Sequence, residues 1–160
     1  MSVRVLGVDP GTAVTGYGVL EPAARRPGRL LECGVLRTAP RDPLPKRLRA
    51  LYEGMEDLIA RHDPSVVAVE SVYYAKNVRS TVALSHARGV ILLAAERAGV
   101  PVAEFPPATV KKSVVGRGGA TKAQVAFMVQ RLLNLKEPPD PSDAADGVAI
   151  GLTYLLTGGA

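Results

Sequence analysis

Four carboxylates stand where chemistry is possible. Asp9 closes the apolar run "VRVLGVD" just before a Pro-Gly turn, and Glu70 closes a second apolar run, "PSVVAVE". Asp143 and Asp146 lie three residues apart in "PSDAADGVAIGL", a spacing that puts both on one face of a helix. Each has an ordinary explanation of its own. Asp9 suits a turn acid capping the "PGT" backbone, and Glu70 a strand-end acid paired with Lys or Arg. With Asp140 as N-cap and Pro141 at the first helical position, Asp143 serves the helix dipole. Asp146 lies beyond the first turn, so capping accounts for it less well. Taken together, the four make a different case. Carboxylates a few ångströms apart repel and raise one another's pKa, so a cluster of them persists chiefly when divalent cations neutralise it. An oxygen-only set without grouped His or Cys suits Mg2+ or Mn2+ rather than Zn2+. Two such ions ~4 Å apart support in-line phosphodiester hydrolysis with water as the nucleophile. His62 and His86 are isolated and read as ordinary helix residues.

These acids can meet only if the elements that carry them are arranged accordingly. Three strand-like runs, Val3 to Asp9, Thr15 to Leu20 and Arg29 to Arg37, are separated by turn-rich segments and predict an antiparallel meander. Leu44, Leu48, Leu51, Met55, Leu58 and Ile59 recur at steps of three and four, predicting an amphipathic helix from Pro43 to Asp63. The strand ending in Glu70 follows it. A right-handed crossover would lay that strand parallel to and beside the first, with Asp9 and Glu70 at one edge of the sheet. Helices are expected over 78–98, 108–115, 121–134 and 142–156, with a short strand in "VPVAEF". The order predicts an α/β fold with a mixed five-stranded sheet, three antiparallel strands then two parallel, flanked by helices. All 160 residues are expected to form one domain, since no repeat or linker divides them. The small residues Ala144, Ala145 and Gly147 would let the last helix approach the sheet closely.

Composition narrows the class. With 47% hydrophobic and 22% charged residues the chain is too apolar for disorder. A net charge of +5 permits an anionic partner without demanding one. Cys33 is the single cysteine, so no internal disulfide can form. The start carries no signal-peptide pattern and the longest apolar run, "GVILLAA", is too short to span a bilayer, so a cytoplasmic protein without membrane attachment is expected.

Four segments in this order, "GVDPGTAVTGYGVL", "VAVESVYYAKN", "PPATVKKSVVGRGGATKAQV" and "PSDAADGVAIGLTY", resemble the RuvC family of bacterial Holliday-junction resolvases, a branch of the RNase H-like nucleases. The resemblance covers nearly the whole chain. It implies an RNase H-like fold and a structure-selective endonuclease that resolves four-way DNA junctions by paired symmetric nicks in recombination and repair. It further implies a site of two Mg2+ ions, with Mn2+ as a substitute. Asp9, Glu70, Asp143 and Asp146 fall on the family's metal-binding acids; family members also place histidine at the position of Asp143. Tyr73 matches an aromatic that stacks on a base, against the plain reading of a Tyr packing a loop. Lys111 and Lys122 match basic residues near the cleaved strand, where a cation offsets charge in the transition state. Lys76, Arg79, Lys112 and Arg117 are further candidates for phosphate contacts, each also readable as a solvated surface charge.

The family resemblance also implies a homodimer, because an approximately two-fold junction needs two opposed cuts, and a branch-migration motor as partner. The helix after Val78 offers Ala83, Leu84, Ala87, Val90, Ile91 and Ala94 as an apolar face for a second copy or for its own sheet. Two other readings compete. A catalytically silent module that recognises branched DNA by shape would need the basic residues and not the acids. An actin-like ATPase would also use a "GVDPGT" loop, but needs a second domain that 160 residues cannot hold.

Overall fold

The computed structural model describes residues 3–71 and 77–159. Tyr73 and Lys76, two of the candidate DNA-contacting residues, lie outside them. The strands are β1 (Val5–Asp9), β2 (Val14–Glu21), β3 (Arg29–Arg37), β4 (Val66–Glu70) and β5 (Val102–Phe105). The helices are α1 (Leu44–His62), α2 (Val78–Arg97), α3 (Pro107–Val115), α4 (Lys122–Leu132) and α5 (Ser142–Thr157).

The sheet order is β3-β2-β1-β4-β5. β1 pairs antiparallel with β2, and β2 with β3; β1 and β4, and β4 and β5, run parallel. The chain thus builds outward from β1 on one side, crosses over through α1, and resumes on the other side of β1. That reversal lies between β1 and β4, where Val8 is in register with Val69, and their carboxyl ends deliver Asp9 and Glu70 side by side.

Strand parity decides which way these acids face. Side chains alternate across a sheet. Leu6, Val8, Val67 and Val69 enter the core under α1 and α2. Val5, Val66 and Ala68 enter the opposite core, under α3, α4 and α5. Asp9 and Glu70 follow the second set and so open toward α5.

Glycines bring α5 onto that face. A Cβ on Gly7 would collide with the backbone of Gly147 and Gly151, and one on Gly16 with the backbone of Asp143. From the other side, a Cβ on Gly147 would stand 2.5 Å from the Cα of Tyr17. The helix therefore rests on β1 and β2 nearly backbone to backbone, which is what small side chains at such a contact permit. Its start differs from the capping expected from sequence. Asp140 is not the N-cap; the Asp140–Pro141 bond is cis, Pro141 occupies the cap position, and the helix begins at Ser142. Asp143 remains the one acid of the first turn.

On the far face a polar cluster ties α1 to the meander. Tyr17 Oη donates to Glu32 at 2.9 Å, and the Arg61 guanidinium reaches the same carboxylate at 3.1 Å and 3.3 Å. Those bonds hold the Glu32 carboxyl at about 2, while burial pushes the Tyr17 hydroxyl up to about 12. His62 is less isolated than its sequence position suggests, with Nε2 3.3 Å from Glu32.

The glycine contacts predict opposite outcomes for one substitution at two places. Gly147→Ala should cost about 1–3 kcal/mol through overpacking. Gly89→Ala, in mid-α2 with nothing within 4 Å in the single chain, should stabilise the monomer by roughly 0.5–1 kcal/mol through helix propensity. Thermal unfolding followed by circular dichroism checks both signs.

Candidate active site

Asp9, Glu70, Asp146, Lys111 and Lys122 line one cavity of about 240 Å³, floored by apolar residues of α3, α4 and α5. Each side chain arrives by a separate local device. The turn after Asp9 is closed by Thr15, which donates to the Gly11 carbonyl at 2.7 Å and accepts from the Gly11 N–H at 3.1 Å. Thr15 therefore fills the closing role that a turn acid would have, and the Asp9 carboxyl is directed into the cavity. Glu70 is carried by β4, and its carbonyl accepts from Arg88 Nε of α2 at 3.4 Å. The same guanidinium pairs with Glu104 of β5 at 2.5 Å. Lys122 opens α4 behind a capping box: the Thr121 hydroxyl accepts from the Gln124 N–H at 3.1 Å, and the Gln124 side chain accepts from the Thr121 N–H at 2.9 Å. The T-x-x-Q pattern carries that information in the sequence.

The cavity concentrates negative charge. Burial, then repulsion from Glu70 and Asp146, pushes the Asp9 carboxyl up to about 8, with Lys122 opposing. At neutral pH Asp9 holds its proton and donates it in a hydrogen bond to Glu70. Glu70 is raised by burial and by Asp146, against the lowering effects of that hydrogen bond, Lys111 and Lys122. Asp146 is raised by burial and held back by Lys122, whose Nζ lies 3.2 Å from its Oδ2. Asp143 does not line the cavity; its charge is felt by Asp146 and Lys122 from the turn before.

The donor set fits a hard divalent cation. Three oxygen-only side chains face one space, each pushed toward neutrality by burial and then by neighbouring carboxylates, which is the condition a bound cation relieves. Among the described residues no three acid, histidine or cysteine side chains are drawn in tightly enough to hold one ion between them. Lys122 instead supplies the positive charge at Asp146, which can serve an ion only by sharing or giving up that contact.

The remaining candidates lie around this centre. Lys112, Arg79 and Arg117 are exposed on α3, the first turn of α2 and the α3–α4 loop. The Arg117 guanidinium reaches Gln124 at 3.3 Å. Sequence reasoning passed over Arg88, because nothing in a lone Arg within a helix reports that it will reach a strand end eighteen residues upstream. It also passed over the strand glycines Gly7, Gly16 and Gly18, although their alternation in "TGYG" and the G-x-x-x-G of α5 are visible signals.

Comparison with known proteins bears on this geometry. Residues 5–154 match the family model described as crossover junction endodeoxyribonuclease RuvC. A protein of that name from Desulforamulus reducens is 46% identical over 150 residues, 94% of this chain and 91% of the relative. Another from Salinispora arenicola is 46% identical over 157 residues, 98% and 90% of the two chains. The solved structure of T. thermophilus RuvC in complex with Holliday junction substrate superposes with a TM-score of 0.91 at 36% identity, covering 98% of this chain and 94% of that one.

The raised Asp9 carboxyl gives the metal-free protein a defined pH response. Asp9 loses its proton near 3.8 when unfolded and near 8 when folded. Between those values the folded state binds more protons, so stability falls as pH rises through the window. In EDTA, Asp9→Asn should match wild type near pH 4 and melt several degrees above it at pH 8.5. Saturating Mg2+ should close that gap by stabilising only the wild type.

Proposed function

This chain belongs to the RuvC family of crossover junction endodeoxyribonucleases, and on that footing we propose that it resolves four-way DNA junctions by hydrolysing one phosphodiester at each of two symmetric strands. The observation that carries this reading is the convergence of Asp9, Glu70 and Asp146, from three separate elements, on a cavity that also holds two lysines. Endonuclease activity follows from membership of the family.

In the proposed site Asp9, Glu70 and Asp146 would hold two Mg2+ ions, and Asp143, assigned to the metal-binding acids by family resemblance, would add negative charge from the first turn of α5. When bound, those ions supply a nucleophilic water at neutral pH and offset the charge that builds on the phosphate. Asp9 must give up its proton on loading, so occupation is favoured by rising pH. Lys122 and Lys111 offer cations at the rim of the cavity, where a nonbridging phosphate oxygen gains charge in the transition state. Lys112, Arg117 and Arg79 extend this basic rim to neighbouring phosphates, and Tyr73 and Lys76, in the segment after β4, are assigned to the junction centre and its backbone by family resemblance.

Paired cuts call for paired sites. We assign the homodimer contact to the outward stripe of α2, where Val78, Val82 and Leu93 are exposed. Of the face expected from sequence, Ala87, Ile91 and Ala94 are buried against the chain's own sheet and α1. The stripe opposite them is left for a partner. A branch-migration motor as further partner rests on family resemblance. No described helix is long and apolar enough to cross a membrane.

On a synthetic four-way junction, Asp9→Asn and Glu70→Gln should each cut at least about 100-fold more slowly than wild type while binding the junction normally. Retained cleavage would overturn the site assignment, and binding without any wild-type cleavage in Mg2+ would favour the silent junction-binding module. Lys122→Gln should slow cleavage by about 10²-fold, yet bind Mn2+ no more weakly in calorimetry, since a competing cation has left Asp146. Leu93→Asp should yield a monomer by light scattering and lose the coordination of the two nicks.

A further inference from the structure

From Pro106 to Lys136 the chain contains six Lys or Arg and no Asp or Glu, a bias the active site absorbs only in part. Lys111 and Lys122 line the acidic cavity, whereas Arg131 does not. Val125 and Val129 turn one side of α4 into the core. The opposite side carries Phe127, 56% exposed, and among the described aromatic residues it alone is exposed. Two grooves flank its ring. One, of about 350 Å³, runs between Val115 at the end of α3 and Met128. The other, of about 430 Å³, lies toward the end of α4 between Arg131 and Leu135. The Arg131 guanidinium sits over the ring, 5.8 Å from its centroid.

With Val115 and Met128 on one side and Leu135 on the other, Phe127 centres a continuous apolar strip rather than standing as a lone exposed side chain, and such a strip marks an interaction surface. A duplex arm could satisfy Arg131 with a phosphate, but its backbone offers only deoxyribose edges between charged phosphates, a poor match to two grooves of about 350 and 430 Å³. A second copy meeting this face isologously would bring no carboxylate to Arg131, because neither groove is lined by an acid. The complement of this surface carries negative charge and apolar side chains together.

We propose that the outer face of α4 docks an acidic, apolar-studded peptide segment of a partner protein, with apolar side chains seated on either side of Phe127 and a carboxylate on Arg131. Aromatic and arginine side chains dominate binding energy at protein interfaces. Stacking on the ring restrains Arg131 in advance, which reduces the ordering cost of engaging a carboxylate.

The test uses a set of fluorescently labelled peptides of about twelve residues with Asp or Glu at alternate positions and Phe, Leu or Ile between them, titrated with the full chain and read by anisotropy. Members of the set should bind at micromolar concentrations, and Phe127→Ala and Arg131→Ala should each weaken binding about tenfold. Peptides with the apolar residues replaced by Ser should not bind. Both variants should keep the wild-type melting temperature and junction cleavage. Failure of the whole set to bind, or equal binding of the Ser peptides, overturns the proposal. So does a loss of junction affinity in Phe127→Ala, which would make the face a nucleic-acid track. Self-association that depends on Phe127 would assign it to a second copy and overturn it equally.

Discussion

Helix α5 lies on the sheet through backbone rather than through side chains, and the position of the acidic centre depends on that contact. Gly7 and Gly16 leave room on the strands, and Gly147 and Gly151 leave it on the helix. Side chains at these places would lift the helix by the thickness of a methyl group or more. Asp146 would then recede from the carboxyl ends of β1 and β4, while Asp9 and Glu70, fixed to adjacent parallel strands, would stay. A geometric requirement on backbone approach is thereby converted into a requirement on where negative charge is placed.

The charge so gathered opposes the fold that gathers it. Burial and mutual repulsion raise Asp9, Glu70 and Asp146 together, and each raised carboxyl is stability withheld from the ionised protein. Two arrangements ease the conflict. Asp9 and Glu70 share a proton, and Lys122 stands at Asp146 from the first turn of a helix whose start is pinned by its capping box. A divalent cation and a phosphate would replace both arrangements, the first displacing the proton and the second drawing on the lysine. Strain of this kind is tolerated at functional sites because the surrounding core over-determines the geometry.

The remaining packing supports this centre from two sides. The core under α1 and α2 is closed by apolar side chains and by the Tyr17–Glu32–Arg61 cluster. The core under α3, α4 and α5 is open at one end, where the cavity lies. Arg88 links the two by reaching from α2 to the end of β4 and to Glu104. Through Arg88, α2 is thus tied to the strand end that carries Glu70.

Much of this was legible in the chain. Residue periodicity, continuous apolar runs and turn residues together anticipated the five strands and five helices among the described residues, because each element must bury an apolar face and end where the backbone can turn. The two apolar runs ending in acids pointed to Asp9 and Glu70, and the spacing of Asp143 and Asp146 put them on one helical turn. The start of α5 was less legible, since Asp140 and Asp143 both have capping chemistry and only the path of the chain at Pro141 chooses between them. The α2 face was legible as apolar, but that Ala87, Ile91 and Ala94 turn into the chain's own core was not, because an inward and an outward apolar stripe use the same residue types. Sequence by itself determined the elements, the inventory of acids and cations, and the glycines, all of which follow from local propensity and residue chemistry. Tertiary structure alone decided that Asp146 enters the cavity while Asp143 stands behind it, that Lys122 is the cation at Asp146, and that Arg88 braces β4. Those are distances between residues far apart in the chain, and they exist only once strand parity and the helix–sheet contact have brought them together.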